Sequence, residues 1–262
     1  MTRTVAAVLA VGSLGLCSTA AAAAPTVEWQ LLDTRPHDAR AYTQGLVAHR
    51  RVLLESTGNC CPAGSGKSSI RRVDPRTGRV LAIRRIPAPV FAEGVTVLRG
   101  TAWQLTWFDR VAYRVDPRTL RRLATRPYRG EGWGVTTQGG RLVASDGSAR
   151  LRWLDPRSMR TTRTVTVRDE GRPVALLNEL EMLGGLIWAN VLYEDRIALI
   201  APSDGRVRAW LDLSPLRRLV SPGAEVLNGI ARDPVTGHVV VTGKKWDRMF
   251  VIRLAADPPA TR

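Results

Sequence analysis

A short turn motif recurs four times along this chain at a nearly constant spacing. Its copies are Val73-Asp-Pro-Arg-Thr-Gly78, Val115-Asp-Pro-Arg-Thr119, Leu154-Asp-Pro-Arg-Ser158 and Ile200-Ala-Pro-Ser-Asp-Gly205. Proline fixes φ at the second position of a type I turn, so each copy predicts a tight reversal between two strands. The four prolines are separated by 42, 39 and 46 residues, which is the repeat length of β-propeller blades.

Each turn joins two predicted strands, and a second predicted pair comes before them in the chain. The first two units contain Gln44–Ala48, Val52–Ser56, Ser69–Val73 and Val80–Ile86, then Glu93–Leu98, Ala102–Trp107, Arg110–Val115 and Leu120–Pro127. The next two contain Trp133–Thr137, Leu142–Ser145, Arg150–Leu154 and Thr161–Val167, then Asn178–Met182, Leu186–Val191, Arg196–Ile200 and Val207–Leu213. Four strands in each unit of about 40 residues predict a four-stranded blade.

A fifth unit is one strand short, and an unassigned strand at the other end of the chain can complete it. The unit comprises Leu227–Ile230, His238–Gly243 and Arg248–Leu254, whereas Val27–Asp33 precedes the first unit. Pairing the two would close the ring and cover an exposed strand edge. We therefore predict an all-β, five-bladed propeller closed by its N-terminal strand, with Ser214–Ala224 as a loop or short helix.

The first residues are typical of a secretory signal peptide. Arg3 is followed by an apolar run from Val5 to Leu16 and then by an alanine-rich tract with an Ala-x-Ala exit. The run is too short to span a membrane, and no later stretch of the sequence is a candidate. We expect residues 1–24 to be removed, and residues 25–262 to form one secreted or periplasmic propeller domain. Adjacent Cys60 and Cys61 then either form a strained disulfide or remain thiols.

The basic composition does not by itself indicate a nucleic-acid partner. The net charge is +16, but nearly all of the cations are arginines spread over every predicted strand and turn. This distribution favours a solvated surface over a nucleic-acid footprint. His37, His49 and His238 are too scattered to form a metal site with the cysteines. Glu179 and Glu181 could bind a structural cation in the channel or simply brace it.

Aligning the five units collects polar residues at one mouth of the predicted channel. The first strands align Gln44, Glu93, Trp133, Asn178 and Asn228, and the second strands end near Glu55, Trp107, Asp146, Asn190 and Lys244. Such groups can simply hydrogen-bond one another and ordered water along a narrow channel. Glu93 differs, because a carboxyl group among aromatic and amide side chains should have a raised pKa and be suited to proton transfer.

The same segments resemble the plant and bacterial glutaminyl-peptide cyclotransferase (glutamine cyclotransferase) family, in order and over almost the whole of residues 25–262. The matching segments include Tyr42-Thr-Gln-Gly-Leu46, Phe91-Ala-Glu-Gly94, Gln104-Leu-Thr-Trp107, Glu131-Gly-Trp-Gly134, Leu177-Asn-Glu-Leu-Glu181, Leu227-Asn-Gly-Ile-Ala231 and Val241-Thr-Gly-Lys244. The resemblance implies a five-bladed propeller, in agreement with the repeat count. It also implies conversion of N-terminal glutamine in peptides to pyroglutamate with release of ammonia, by a type distinct from the zinc-dependent animal enzymes.

The resemblance also suggests roles for individual residues. Glu93 would be the acid–base group, Trp107 and Trp133 walls of the glutamine pocket, Asn178 a polar anchor, and Lys244 a neighbour of the site. Gln44 matches the motif of the first blade and is expected to contact substrate. The chain departs from the family after Asn190-Val191, where Leu192 replaces a frequent aromatic residue and Tyr193 is the candidate substitute.

Two other functions fit the same ring of residues. Glutamate and asparagine oxygens suit Ca²⁺, as in a calcium-dependent lactonase-like propeller hydrolase. A non-catalytic propeller that binds peptides or sugars is the other alternative. For the cyclotransferase we expect a monomer that needs no cofactor, acts on peptides or proteins with N-terminal glutamine, and has no nucleic-acid or membrane partner after signal cleavage.

Overall fold

The computed structural model describes residues 22–58 and 68–256 and is almost entirely β-structure. The predicted signal peptide lies mostly outside the described residues, and Cys60 and Cys61 lie outside them altogether. Five four-stranded antiparallel sheets are arranged as a five-bladed propeller, as predicted. In the first blade β2 to β5 are Thr43–His49, Val52–Thr57, Ser69–Val73 and Val80–Arg85.

The remaining blades repeat this order from the channel outwards. Blade two comprises β6 to β9, at Ala92–Leu98, Thr101–Thr106, Val111–Val115 and Arg122–Pro127. Blade three comprises β10 to β13, at Val135–Gln138, Arg141–Ala144, Arg150–Leu154 and Thr161–Thr166. A hairpin of β14 (Arg168–Asp169) and β15 (Arg172–Pro173) follows. Blade four comprises β16 to β19, at Leu177–Leu183, Leu186–Val191, Arg196–Ile200 and Val207–Asp212.

The fifth blade is completed by the N-terminal strand, which confirms the predicted closure. Its inner strands β20 to β22 are Leu227–Arg232, Val239–Gly243 and Arg248–Leu254, and β1 (Trp29–Pro36) pairs antiparallel with β22. β1 begins two residues later than predicted, because the preceding residues bind another blade. The Val27 amide donates to the carbonyl oxygen of Trp210 at 2.8 Å, at the outer strand of blade four.

The recurrent turns have the predicted form. They lie at one mouth of the channel, and the first strand of each blade begins at the other mouth. In blade one, Asp74 Oδ1 accepts the backbone N–H groups of Arg76 and Thr77, each at 2.9 Å. The turns at Asp116 and Asp155 repeat these contacts. Between blades four and five, Ser214–Leu219 forms a 3-10 helix. Within the part of the chain that the structure describes, no helix is long and apolar enough to cross a membrane.

The innermost strands of the five blades form the ring around the channel. β2, β6, β10, β16 and β20 contact their neighbours in that order, and β20 contacts β2. Buried apolar side chains fill the spaces between adjacent blades, including the indoles of Trp103, Trp153, Trp188, Trp210 and Trp246. This packing holds the beginnings of the first strands, and the polar residues there, in a fixed arrangement.

Close approach between neighbouring inner strands explains the glycine that follows the aligned polar residue in most units. A Cβ on Gly94 would lie 2.7 Å from the carbonyl oxygen of Trp133, and one on Gly134 would lie 2.0 Å from that of Asn178. Blade four has Glu179 at this position, and its carboxylate accepts backbone N–H groups from Leu46 and Ile230. Glycine therefore sets the spacing between blades, and Glu179 braces the channel across three of them.

Candidate active site

A cavity of about 390 Å³ opens at the mouth where the first strands begin, and the six predicted site residues line it together. They are Gln44, Glu93, Trp107, Trp133, Asn178 and Lys244. These side chains come from all five blades, which is why no local stretch of sequence contains the site. The cavity is also lined by residues without a predicted role, namely Tyr42, Phe91, Glu225 and Val226, and by Leu192 and Tyr193.

Glu93 is the buried carboxyl group of this cavity, with 5% of its surface exposed. Burial raises its pKa well above the usual value, because desolvation disfavours the charged form. The positive charge of Lys244 acts in the opposite direction, and the negative charge of Glu131 adds to the rise. The net effect makes Glu93 a weaker acid than an ordinary carboxyl group, which suits a group that must accept a proton and then return it.

A hydrogen-bonded chain of amides orients Glu93. The Gln44 side-chain amide donates to Glu93 Oε1 at 3.2 Å, and Gln44 Oε1 accepts from Asn228 Nδ2, also at 3.2 Å. Asn228 Nδ2 donates to the carbonyl oxygen of Thr43 as well, at 2.9 Å. Asn228, in the aligned ring of the sequence, therefore lies behind the cavity wall and fixes the amide orientation of Gln44. Blades five, one and two are joined by this chain.

Two indoles form one side of the cavity, and a single carboxylate holds both. Trp107 Nε1 and Trp133 Nε1 donate to Glu131 Oε2 at 2.8 and 3.0 Å. Phe91 packs edge-on against Trp107, with ring centroids 5.4 Å apart. Trp133 lies just before β10 rather than in the predicted strand, and its carbonyl oxygen accepts from the Gly94 amide at 2.7 Å. Hydrogen bonds from the N–H groups of the two indoles to Glu131 therefore hold the aromatic wall in place.

The opposite side of the cavity is more polar. Asn178 is 3% exposed, and its Oδ1 is buried without a hydrogen-bond partner among the described residues. Lys244 Nζ lies 4.8 Å from the centroid of the Tyr42 ring, which places an ammonium group over an aromatic face. Leu192 and Tyr193 both line the cavity, and Tyr193 is 77% exposed. Tyr193 therefore lies next to Leu192, the position at which the family often has an aromatic residue.

Three residues of the second predicted ring have other surroundings. Glu55 is fully buried and accepts hydrogen bonds from His37 and Thr43 at Oε1 and from Arg71 at Oε2. Although burial opposes ionisation, the charges of Arg71 and His37 hold the pKa of Glu55 far below its usual value. Asn190 Oδ1 accepts the Gly229 amide at 3.0 Å. Asp146 pairs with Arg152 at 3.4 Å, in the neighbouring loop.

Several residues of the site were not predicted, although the repeat contains a signal for them. Two positions before each aligned polar residue, the five units carry Tyr42, Phe91, Glu131, Leu176 and Val226. Three of these line the cavity, and Glu131 holds its two indoles. Extending the alignment by two residues would have identified them, because these positions directly precede the first strands and so lie at the same mouth of the channel.

The channel acids have distinct environments. Glu179 Oε1 and Oε2 accept the Leu46 and Ile230 amides at 3.2 and 3.0 Å. Burial raises the pKa of Glu181 to about 8. Among residues 22–58 and 68–256, no group of three or more His, Cys, Asp or Glu side chains is arranged to hold a metal ion.

Comparisons with known proteins point to one family. A family model described as glutamine cyclotransferase matches residues 4–254. The chain is 40% identical over 227 residues to a glutaminyl-peptide cyclotransferase of Arabidopsis thaliana, an alignment that covers 84% of this chain and 69% of the relative. A crystal structure of Myxococcus xanthus glutaminyl cyclase superposes with a TM-score of 0.80 at 33% identity, covering 88% of this chain and 98% of that one.

Proposed function

The chain belongs to the glutamine cyclotransferase family, and we propose that it converts the N-terminal glutamine of peptides to pyroglutamate, with Glu93 as the acid–base group. The single observation that carries this role is the buried Glu93 carboxyl group, hydrogen-bonded to Gln44 within a cavity walled by two tryptophans. Glu225, the other acidic residue that lines the described cavity, is only partly buried.

The reaction needs one proton to move between two nitrogen atoms of the same substrate residue. The neutral α-amine attacks the carbon of the side-chain carboxamide, so a new carbon–nitrogen bond forms and a ring closes. Glu93 accepts a proton from the attacking nitrogen and returns it to the carboxamide nitrogen, which leaves as ammonia. Folding the glutamine between Trp107 and Trp133 brings the two groups together, and well-aligned intramolecular attack can gain roughly 7–11 kcal/mol in this way.

The polar side of the cavity supplies binding and charge stabilisation. Asn178 Oδ1, buried without a partner in the described residues, is available to accept an N–H group of the substrate. The ammonium group of Lys244 can stabilise the negative charge that develops on the carboxamide oxygen. Lys244 also opposes the rise in the pKa of Glu93, so it favours the ionised form that accepts a proton.

Replacing Glu93 by Gln tests the role directly. We expect kcat to fall by about 10²- to 10⁴-fold, the usual contribution of general acid–base catalysis, with little change in KM. Ammonia release from a glutamine-initiated peptide is the measurement, and a peptide beginning with asparagine is the substrate control. Wild-type turnover by Glu93→Gln would refute the assignment.

The proposed chemistry requires no metal ion, and this too can be tested. Every step uses side chains of the cavity, so dialysis against EDTA should leave the rate of ammonia release unchanged. A calcium-dependent hydrolase would lose its activity in the same treatment and recover it on addition of Ca²⁺. Loss of peptide cyclisation with EDTA, reversed by a divalent cation, would contradict the metal-free scheme.

We also propose that the enzyme is exported and acts as a monomer on peptides or proteins outside the cytoplasm. The support for export is the sequence pattern of residues 1–24, with its basic start, short apolar run and Ala-x-Ala exit. N-terminal sequencing of the protein recovered from the periplasm or medium should locate cleavage within Ala22–Ala24. Light scattering of the same preparation should give the mass of one chain.

A further inference from the structure

A second cleft of about 440 Å³ adjoins the cavity at the same mouth of the propeller. The loops after β7 and β11 and the connection from blade two to blade three form it, and it is lined by Phe108, Arg110, Gly130, Glu131, Asp146, Ser148 and Arg150. None of these residues has a role in binding the glutamine side chain. Its position beside the reaction cavity makes it a candidate for contacts with the rest of a peptide.

The wall between cavity and cleft consists of stacked and hydrogen-bonded side chains that belong to both. Phe108 stacks on Trp107 with ring centroids 4.1 Å apart and an interplanar angle of 25°. Trp107 lines the cavity, whereas Phe108 lines the cleft and is 60% exposed. Glu131 likewise lines the cleft while it binds the indoles of Trp107 and Trp133. A substrate peptide that leaves the cavity over Trp107 therefore meets the exposed ring of Phe108.

The charges in the cleft favour an anionic ligand. Asp146 pairs with Arg152 at 3.4 Å, and Glu131 keeps its negative charge while it accepts both indole N–H groups, so the guanidinium groups of Arg110, Arg150 and Arg152 outnumber the two carboxylates. Arg110 and Arg150 are exposed, and neither forms an ion pair with a residue in the described ranges. On the opposite rim, by contrast, Lys245 is bound to Glu225 at 2.7 Å. Two available guanidinium groups beside an exposed phenyl ring suit a peptide with carboxylate side chains.

We propose that this cleft is the subsite for the residues that follow the N-terminal glutamine, and that it selects peptides with acidic side chains among them. Phe108 provides an apolar platform for the peptide, and Arg110 and Arg150 contact its carboxylates. The proposal rests on the cyclisation proposed above, because it concerns the remainder of the same substrate. Selectivity should appear mainly in KM, since the subsite lies away from the bonds that form and break.

Three amidated peptides and one short substrate separate the possibilities. We would compare kcat/KM for Gln-Glu-Glu-Ala, Gln-Ala-Ala-Ala and Gln-Lys-Lys-Ala amides, with Gln-Ala amide as a substrate too short to span the cleft. The wild-type enzyme should prefer the acidic peptide and lose much of that preference at high salt, because exposed charge pairs are screened. The double variant R110A/R150A should lose roughly fourfold or more in kcat/KM for the acidic peptide alone.

Controls make each outcome decisive. Arg76→Ala, in the exposed turn at the opposite mouth, should change none of the four rates, and R110E/R150E should favour the lysine peptide. Unchanged turnover of Gln-Ala amide by the variants would show that they are folded and that the reaction cavity is intact. Equal rates for all peptides in the wild type, or an acidic preference that survives R110A/R150A, would overturn the subsite while cyclisation stands. No turnover of any peptide would instead refute the proposed function and the subsite that rests on it.

Discussion

Glu131 links the aromatic wall of the pocket to the charge of its acid–base group. Its carboxylate accepts the indole N–H groups of Trp107 and Trp133, and its negative charge contributes to the raised pKa of Glu93. One side chain thus sets the orientation of both walls and the protonation of a residue in another blade. These two effects can be separated by replacing Glu131 with Gln, because the amide keeps a hydrogen-bond acceptor at this position and removes the charge.

Glu131→Gln should shift the pH profile rather than abolish activity. Without the charge of Glu131, the pKa of Glu93 falls, so Glu93 stays ionised to lower pH and the acidic limb of kcat/KM moves to lower pH. The α-amine of the substrate titrates in the same way with both enzymes. Any difference between the two pH profiles therefore comes from ionisable groups of the enzyme. The measurement is kcat/KM against pH for one glutamine-initiated peptide.

The matched control for this prediction is Glu131→Ala, which removes both the acceptor and the charge. It should raise KM and change the tryptophan fluorescence spectrum, because the two indoles lose their common partner. An acidic limb that does not move in Glu131→Gln, or that moves to higher pH, would contradict the electrostatic part of the role.

At the scale of the elements, Arg35 joins the N-terminal strand to two blades. Its guanidinium group forms a bidentate pair with Asp233, at 3.0 and 2.9 Å, and donates to the carbonyl oxygen of Pro75 at 2.9 Å. Asp233 begins the turn between β20 and β21, and Pro75 lies in the turn between β4 and β5. The Asp233 side chain is completely buried, so this pair fastens blade five, the closing strand and blade one at one point.

Arg35→Ala should destabilise the protein by about 3–5 kcal/mol, because it leaves a buried carboxylate without its partner. Urea unfolding at neutral pH is the measurement. Burial opposes ionisation of Asp233, but the hydrogen bonds of Arg35 lower its pKa overall. This stabilisation is therefore present above the ordinary Asp pKa of about 3.9 and is lost as the pH falls below it. The difference between variant and wild type should shrink in acid.

Asp33→Asn is the appropriate control for the strand itself. Asp33 also pairs with Arg35, at 2.7 Å, but its side chain is 51% exposed. Exposed pairs contribute about 0–1 kcal/mol, so this variant should remain close to the wild type. A loss of equal size in both variants would show that the effect comes from β1 in general and not from the buried pair.

For the whole molecule, the repeat explains how far the sequence could predict the architecture. The number and order of the blades followed from turns that recur in phase, since each turn is made by local backbone contacts such as those of Asp74. The closing strand followed from the strand that the fifth unit lacks. The boundary of β10 was misplaced because the Trp133 carbonyl oxygen pairs with Gly94 of another blade. His37 and Arg71 were not assigned because both contact Glu55 from other strands or loops, and only the folded chain brings the three side chains together.

Closure of the ring gives the last and most global prediction. A chain that begins at His37 would lack β1 and leave β22 (Arg248–Leu254) as an unpaired, largely apolar edge. We expect a lower unfolding temperature and self-association, detected by calorimetry and light scattering. A synthetic peptide spanning residues 25–36 should restore both properties by pairing with β22, whereas a scrambled peptide of the same composition should not. If the truncated chain unfolded at the wild-type temperature, the inner strands alone would hold the ring, and β1 would be only a cover for its edge.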